Sequence, residues 1–143
     1  MRFLVVWALL GLATLVRADL ASVKAEPRPE KRSEKAMLNA DAALTAARQA
    51  WKDGKTEAFR ASLDEVRQSV ELALQTLKDT GKHPSKMTRY YKNGEQRASD
   101  LDRRLKSFSS EAGLEDRPVI DELQKYVQAV HEEFLLGVMS KKR

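Results

Sequence analysis

Apolar residues recur at alternating steps of three and four along four successive segments of the chain. The clearest series lies in residues 56–79: Phe59, Leu63, Val66, Val70, Ala73 and Leu77. This spacing places every member on one face of a helix. No segment shows the period-two alternation of a half-buried strand. The sequence therefore predicts an all-α protein.

Three other segments carry the same pattern. Residues 30–52 have Met37, Ala40, Leu44, Ala47 and Trp51. A third helix is predicted over residues 85–108, with Ser85 as its N-cap, and a last helix from Asp116 and Pro118 onward. Short breakers that contain glycine separate the four segments. Helices of similar length joined by short turns predict an antiparallel up-down four-helix bundle.

Gly94 lies on the apolar stripe of the predicted third helix. Glycine inside a helix costs up to about 1 kcal/mol relative to alanine. We expect another helix to pack closely against this position and compensate for that cost.

Residues 1–18 have the features of a cleaved signal peptide. A positive start is followed by an uncharged apolar run over residues 3–16 and then by Val16-Arg17-Ala18. The alternative is a membrane anchor, but this run is short of the roughly 20 residues that span a bilayer. We expect cleavage before Asp19 and export to the periplasm or the external medium.

The exported chain is predicted to have a flexible charged arm at residues 19–29, because Pro27, Pro29 and several charges oppose helix there. The bundle domain follows at residues 30–143. Cysteine is absent, which rules out disulfides, thiolate zinc sites and thiol catalysis. Loss of Arg2 and Arg17 with the leader lowers the net charge from +5 to +3. This mild charge does not predict a nucleic-acid partner.

Neither histidine has the sequence context of a metal ligand or a catalytic base. His83 lies in a predicted turn, and the residue three before His131 is Gln128 rather than the glutamate of a di-iron motif. No glycine-rich strand-to-helix turn offers a phosphate loop or a nucleophile elbow. We therefore expect a protein without enzymatic activity, cofactor or metal.

The start of the predicted third helix is rich in positive charge. The candidate residues for binding an anion or a partner are Lys82, Lys86, Arg89, Tyr90 and Lys92. Helical spacing would place several of these side chains on one face near the helix N-terminus, where the dipole also favours anions. The alternative is an ordinary solvated face.

Several short motifs between Trp51 and Lys142 resemble a group of small exported bacterial helical proteins. They are Thr80-Gly81-Lys82-x-Pro84-x-Lys86, Tyr91-Lys92-x-x-Glu95-x-Arg97, Leu101-x-Arg103-Arg104-Leu105, Glu115-Asp116-Arg117-Pro118 and Leu135-Leu136-Gly137-x-Met139. The resemblance implies an exported bundle and supplies no catalytic residues. It also draws attention to the last turn, where apolar residues lie on more than one side of the helix.

Together these features predict a non-enzymatic protein of the cell envelope that binds another protein or an envelope component through helical surfaces. The alternative is a binder of anionic ligands or of an anionic membrane surface that uses the basic third helix. The oligomeric state is left open.

Overall fold

The computed structural model describes residues 19–140. It contains five α-helices: α1 (Leu20–Lys24), α2 (Pro29–Lys52), α3 (Thr56–Asp79), α4 (Thr88–Glu111) and α5 (Arg117–Met139). A short 3₁₀ helix, Pro84–Lys86, lies between α3 and α4. No strand occurs between residues 19 and 140, and the all-α prediction is confirmed. The predicted signal peptide and the basic residues 141–143 lie outside the described residues.

Two glycines form the turns that end α2 and α3. Gly54 and Gly81 have φ values of 70° and 69°. L-residues with a side chain rarely adopt this left-handed conformation, so glycine is the favoured residue just after a helix. Both long helices therefore end where the sequence predicts a break.

Successive long helices run antiparallel and form two hairpins. In the first hairpin the Ser33 hydroxyl of α2 donates to the Ala73 carbonyl of α3 over 2.8 Å. Two turns later the Asn39 amide donates to the Ser69 hydroxyl over 2.9 Å. Residue numbers rise along one helix as they fall along the other. The second hairpin, α4 with α5, shows the same relation.

The two hairpins lie side by side, with α2 beside α4 and α3 beside α5. Ion pairs across these contacts join Asp41 to Arg104, Arg48 to Glu111, Arg67 to Glu122 and Lys78 to Glu133. Residue numbers rise together in these pairs, so the helices that meet between hairpins are parallel. The connection from α3 to α4 consequently crosses the bundle diagonally.

The four apolar stripes meet in one core. The side chains that are fully buried include Phe59, Phe108, Phe134, Met37, Leu44, Leu77, Leu101 and Leu105. Trp51 is only partly buried at the edge of this core, where its ring meets Phe108 edge-on at 5.5 Å. Its indole N–H donates to the Asp116 carboxylate over 3.2 Å. The predicted stripes are therefore the faces that the bundle buries.

The prediction of a flexible arm at residues 19–29 needs correction. Leu20–Lys24 form α1, which packs on α2 and buries Val23. The Asp19 carboxylate caps α1 by accepting from the Ser22 N–H over 3.2 Å. A single buried valine leaves no periodic signal, so the sequence pattern could not show this helix. Pro29 opens α2 because a first helical position needs no N–H.

The predicted start of the third helix is also wrong. Ser85 lies in the 3₁₀ helix, and α4 begins at Thr88. The Ser85 N–H donates to His83 Nδ1 over 3.2 Å, and the Ser85 hydroxyl lies 2.8 Å from the same nitrogen. Local hydrogen bonding to His83 thus stabilises a separate turn in place of an N-cap.

Candidate functional site

The five predicted binding residues occupy three different local structures. Lys82 lies in the turn after α3, Lys86 in the 3₁₀ helix, and Arg89, Tyr90 and Lys92 in the first turns of α4. Because α4 begins only at Thr88, the helical spacing expected between Lys82 and Lys86 is absent. The structure therefore brings these residues to one end of the bundle but divides them between two sides of it.

On one side, Arg89 and Tyr90 line a groove that they share with the start of α2. The groove has a volume of about 300 Å³, and Arg28, Glu30, Lys31 and Glu34 complete it. The Arg89 guanidinium lies 5.9 Å from the centre of the Tyr90 ring. The N-terminal ends of α2 and α4 meet here because the two helices are parallel. Arg28 and Lys31 are not among the predicted binding residues, since no sequence pattern links them to Arg89 and Tyr90, about sixty positions away.

Charge in this groove is mixed. The Lys82 ammonium lies 3.2 Å from the Glu30 carboxylate. A hydrogen bond from its own backbone and another from Lys82 hold the pKa of Glu30 below its ordinary value. Glu30 is consequently ionised at neutral pH, and Lys82 is already paired. An anion that entered the groove would meet carboxylates as well as cations.

On the other side, Lys86 and Lys92 lie towards the end of α5. Glu95 of α4 contacts His131 of α5 over 2.9 Å. Lys92 precedes Glu95 by three residues, so both project from the same side of α4. The 3₁₀ helix that carries Lys86 packs directly against α5. These two lysines therefore border the last turns of α5.

The last turns of α5 expose three large apolar side chains, which we call the α5 patch. Leu135 is 38% exposed, and Leu136 and Met139 are each 66% exposed. Spacings of three and four place them on the outward side of the helix. Phe134 and Gly137, both buried, form the side of these turns that faces the core. The α5 patch is thus additional to the residues that the bundle needs for packing.

The chain segment that leads into α4, at the same end of the bundle as the α5 patch, is cationic and free of acidic residues. Residues 80–92, which we call the cationic turn, contain Lys82, Lys86, Arg89 and Lys92 and no Asp or Glu. Lys86, Arg89 and Lys92 are exposed. None of these three forms an ion pair with any other residue in the part of the chain that the structure describes. Exposed apolar side chains and unpaired cations therefore occur together at this end.

The histidines have local contacts in the structure. His131 Nε2 lies against the Glu95 carboxylate between α4 and α5, and His83 Nδ1 lies against Ser85. Over residues 19–140, no group of three or more His, Cys, Asp or Glu side chains is placed to hold a metal ion. In the same range, no helix has the length and apolar character needed to cross a membrane.

Comparison of the chain with protein-family models, with curated proteins and with solved structures finds no match. The features that bear on function are therefore the two surfaces at this end of the bundle.

Proposed function

We propose that this chain is a non-enzymatic protein, exported to the cell envelope, that binds another protein or an envelope component through exposed helical surfaces. The observation that carries the proposal is the α5 patch beside the cationic turn. Leu136 and Met139 each expose about two thirds of their surface on a well-packed helix. Burial of apolar surface contributes about 25 cal/mol per Å², so a partner that covers these side chains gains binding energy from them.

The export part of the proposal is supported by the amino-terminal sequence. Residues 1–18 combine a positive start, an apolar run and a small residue before Asp19. The buried apolar residues that the structure describes lie between Val23 and Phe134.

A second candidate function is the binding of a small anionic ligand in the groove at Arg89 and Tyr90. Arg28, Lys31 and Arg89 supply three cations there, close to two helix N-termini. Glu30 and Glu34 line the same groove and oppose an anion. This balance makes the α5 patch the better supported surface.

Capture from a cell-envelope extract tests the proposal. The wild-type chain is compared with Leu136→Ser/Met139→Ser and with the control Leu114→Ser. Leu114 is 82% exposed in the connection between α4 and α5, at the opposite end of the bundle. We expect the captured component to be lost with the patch variant and retained with the control. Equal capture by all three proteins would show that the α5 patch is not the binding surface.

A further inference from the structure

We infer that the end of the bundle formed by the α5 patch and the cationic turn docks on an anionic lipid surface. This inference rests on the proposed function and names the envelope component that the surface binds. Leu135, Leu136 and Met139 would enter the interfacial region of the bilayer, while Lys86 and Lys92 contact lipid phosphates.

Charge complementarity selects an anionic partner. Lys86 and Lys92 border the α5 patch, are exposed, and have no carboxylate partner among residues 19–140. The sequence continues after the patch with Lys141, Lys142 and Arg143.

Two acidic residues, Glu132 and Glu133, precede the patch on α5. Glu133 is paired with Lys78 of α3. Glu132 lies three, four and seven residues before Leu135, Leu136 and Met139 and so shares their side of α5. Lys86 and Lys92 together with Lys141, Lys142 and Arg143 outnumber this one carboxylate, so the net charge around the patch is positive.

The combination of apolar and cationic groups is the one that a bilayer surface requires. Stable attachment to a membrane surface usually needs two signals, an inserted apolar group and a cluster of basic residues. Lysine suits this role because its apolar stem follows the inserted side chains while its ammonium remains among the head groups. The α5 patch supplies the first signal, and Lys86 and Lys92 of the cationic turn supply the second.

The small size of the α5 patch favours a lipid surface over a protein partner. A specific protein interface covers about 800 Å² on each partner and has a well-packed apolar centre. Three side chains on the last two turns of one helix form a much narrower apolar surface. Partial insertion into a bilayer makes use of a few protruding side chains and needs no matching surface shape.

Vesicle binding tests the inference. The chain is purified as it is recovered after export, and every variant carries the same N-terminus, so any contribution from residues before Asp19 cancels. The probes are vesicles of phosphatidylglycerol with phosphatidylcholine and vesicles of phosphatidylcholine alone. We expect wild-type protein to sediment with the anionic vesicles only, and less as salt is raised, because exposed charges are screened over about 8 Å at physiological ionic strength.

Two pairs of variants separate the contributions of charge and apolar surface. Lys86→Glu/Lys92→Glu should weaken binding to the anionic vesicles by about 25-fold or more, since each cation near such a surface contributes about fivefold. Its control is Lys52→Glu/Lys55→Glu, which makes the same change of net charge at the opposite end and should have a much smaller effect. Leu136→Ser/Met139→Ser should also weaken binding, and Leu114→Ser should not.

Several results would overturn the inference. They are equal binding of wild-type protein to the two kinds of vesicle, equal losses in the two charge-reversal variants, and unchanged binding after Leu136→Ser/Met139→Ser. If the reversal variant loses its helical spectrum, Lys86→Gln/Lys92→Gln gives the same comparison with a smaller charge change. Capture of a protein through the α5 patch without vesicle binding would overturn the lipid inference alone and leave the proposed function standing.

Discussion

The Phe134 ring of α5 lies directly against Gly94 of α4, in the space that a side chain at position 94 would occupy. The opposite arrangement occurs one turn away, where the Tyr91 ring of α4 lies against Gly137 of α5. The two rings meet edge-on, with centroids 6.2 Å apart. Each helix thus supplies one aromatic ring and one glycine to the contact. This packing confirms the expectation of a close helix at Gly94.

Gly94→Ala should destabilise the protein. An added Cβ would overlap the Phe134 ring, which is fully buried. Overpacking of this kind costs about 1–3 kcal/mol, which exceeds the gain of up to about 1 kcal/mol in helix propensity. Urea denaturation measures the difference.

Gly113→Ala is the matched control, since no described atom lies within 4 Å of its added Cβ. Its stability should remain close to that of the wild type. A Gly94→Ala protein as stable as Gly113→Ala would contradict the close approach of α5.

Val70→Asp should unfold the domain or nearly so. Val70 is fully buried in the middle of α3, and an unpaired carboxylate there costs several kcal/mol. The neighbouring change Glu71→Ala affects an exposed position and should alter stability little. Circular dichroism during thermal melting compares the two variants. Similar melting temperatures would show that the buried face of α3 is assigned incorrectly.

The parallel contact between α2 and α4 is testable by cross-linking. The chain has no cysteine of its own, so Asp41→Cys/Arg104→Cys introduces a single reactive pair. A short bis-maleimide should join the two positions within the monomer. Asp41→Cys/Lys125→Cys is the control, because α2 and α5 lie diagonally across the bundle. Preferential cross-linking of the control pair would mean that the hairpins are arranged differently.

Acid should weaken the folded state through a few paired carboxylates. Hydrogen bonding to Arg48 lowers the pKa of Glu111 below 4.5, and a hydrogen bond from Lys35 lowers the pKa of Glu26. A lowered folded-state pKa means that the unfolded chain takes up protons first as the pH falls. These carboxylates therefore contribute stability that is complete above about pH 4.5 and is lost as the pH falls through their lower folded-state pKa values.

An NMR titration of the Glu111 carboxyl checks this assignment. Arg48→Gln should raise the pKa of Glu111 towards 4.5, while Arg103→Gln, at an exposed pair with Asp100, should not change it. An unaltered Glu111 titration in the Arg48 variant would show that Arg48 does not lower the pKa of Glu111.

Processing before Asp19 is expected during export. The intact mass of the protein recovered outside the cytoplasm should lack residues 1–18, because Val16 and Ala18 present small side chains to the peptidase. Substitution Ala18→Arg should block cleavage and leave the full-length chain with the membrane fraction. Full-length wild-type protein in that fraction would instead support a membrane anchor.

Sequence periodicity predicted the long helices well because each has an uninterrupted apolar stripe. Every stripe residue of α3, from Phe59 to Leu77, is buried as expected. The predictions of a flexible arm and of an N-cap at Ser85 were wrong because the local structure there depends on single contacts. These are the burial of Val23 under α1 and the hydrogen bond from the Ser85 N–H to His83. Single contacts of this kind produce no periodic pattern in the sequence.

The candidate site was only partly predictable for a related reason. Sequence identified the basic residues and the apolar last turn of α5 separately, but their proximity depends on how the hairpins stack. The diagonal connection between α3 and α4 brings the cationic turn to the end of α5, and the sequence carries no signal for that path. Helical spacing also assigned Lys82 and Lys86 to one face across a segment that is not α-helical.

The arrangement of two hairpins has a consequence for how the chain folds. Each hairpin comes from one continuous stretch, so the contacts within it join residues close enough in sequence for rapid loop closure. Contacts between the hairpins, such as Asp41 with Arg104, span 63 residues, so their formation closes a longer loop. Folding should therefore be fast for a chain of this length, with docking of the two preformed hairpins as its last and slowest step.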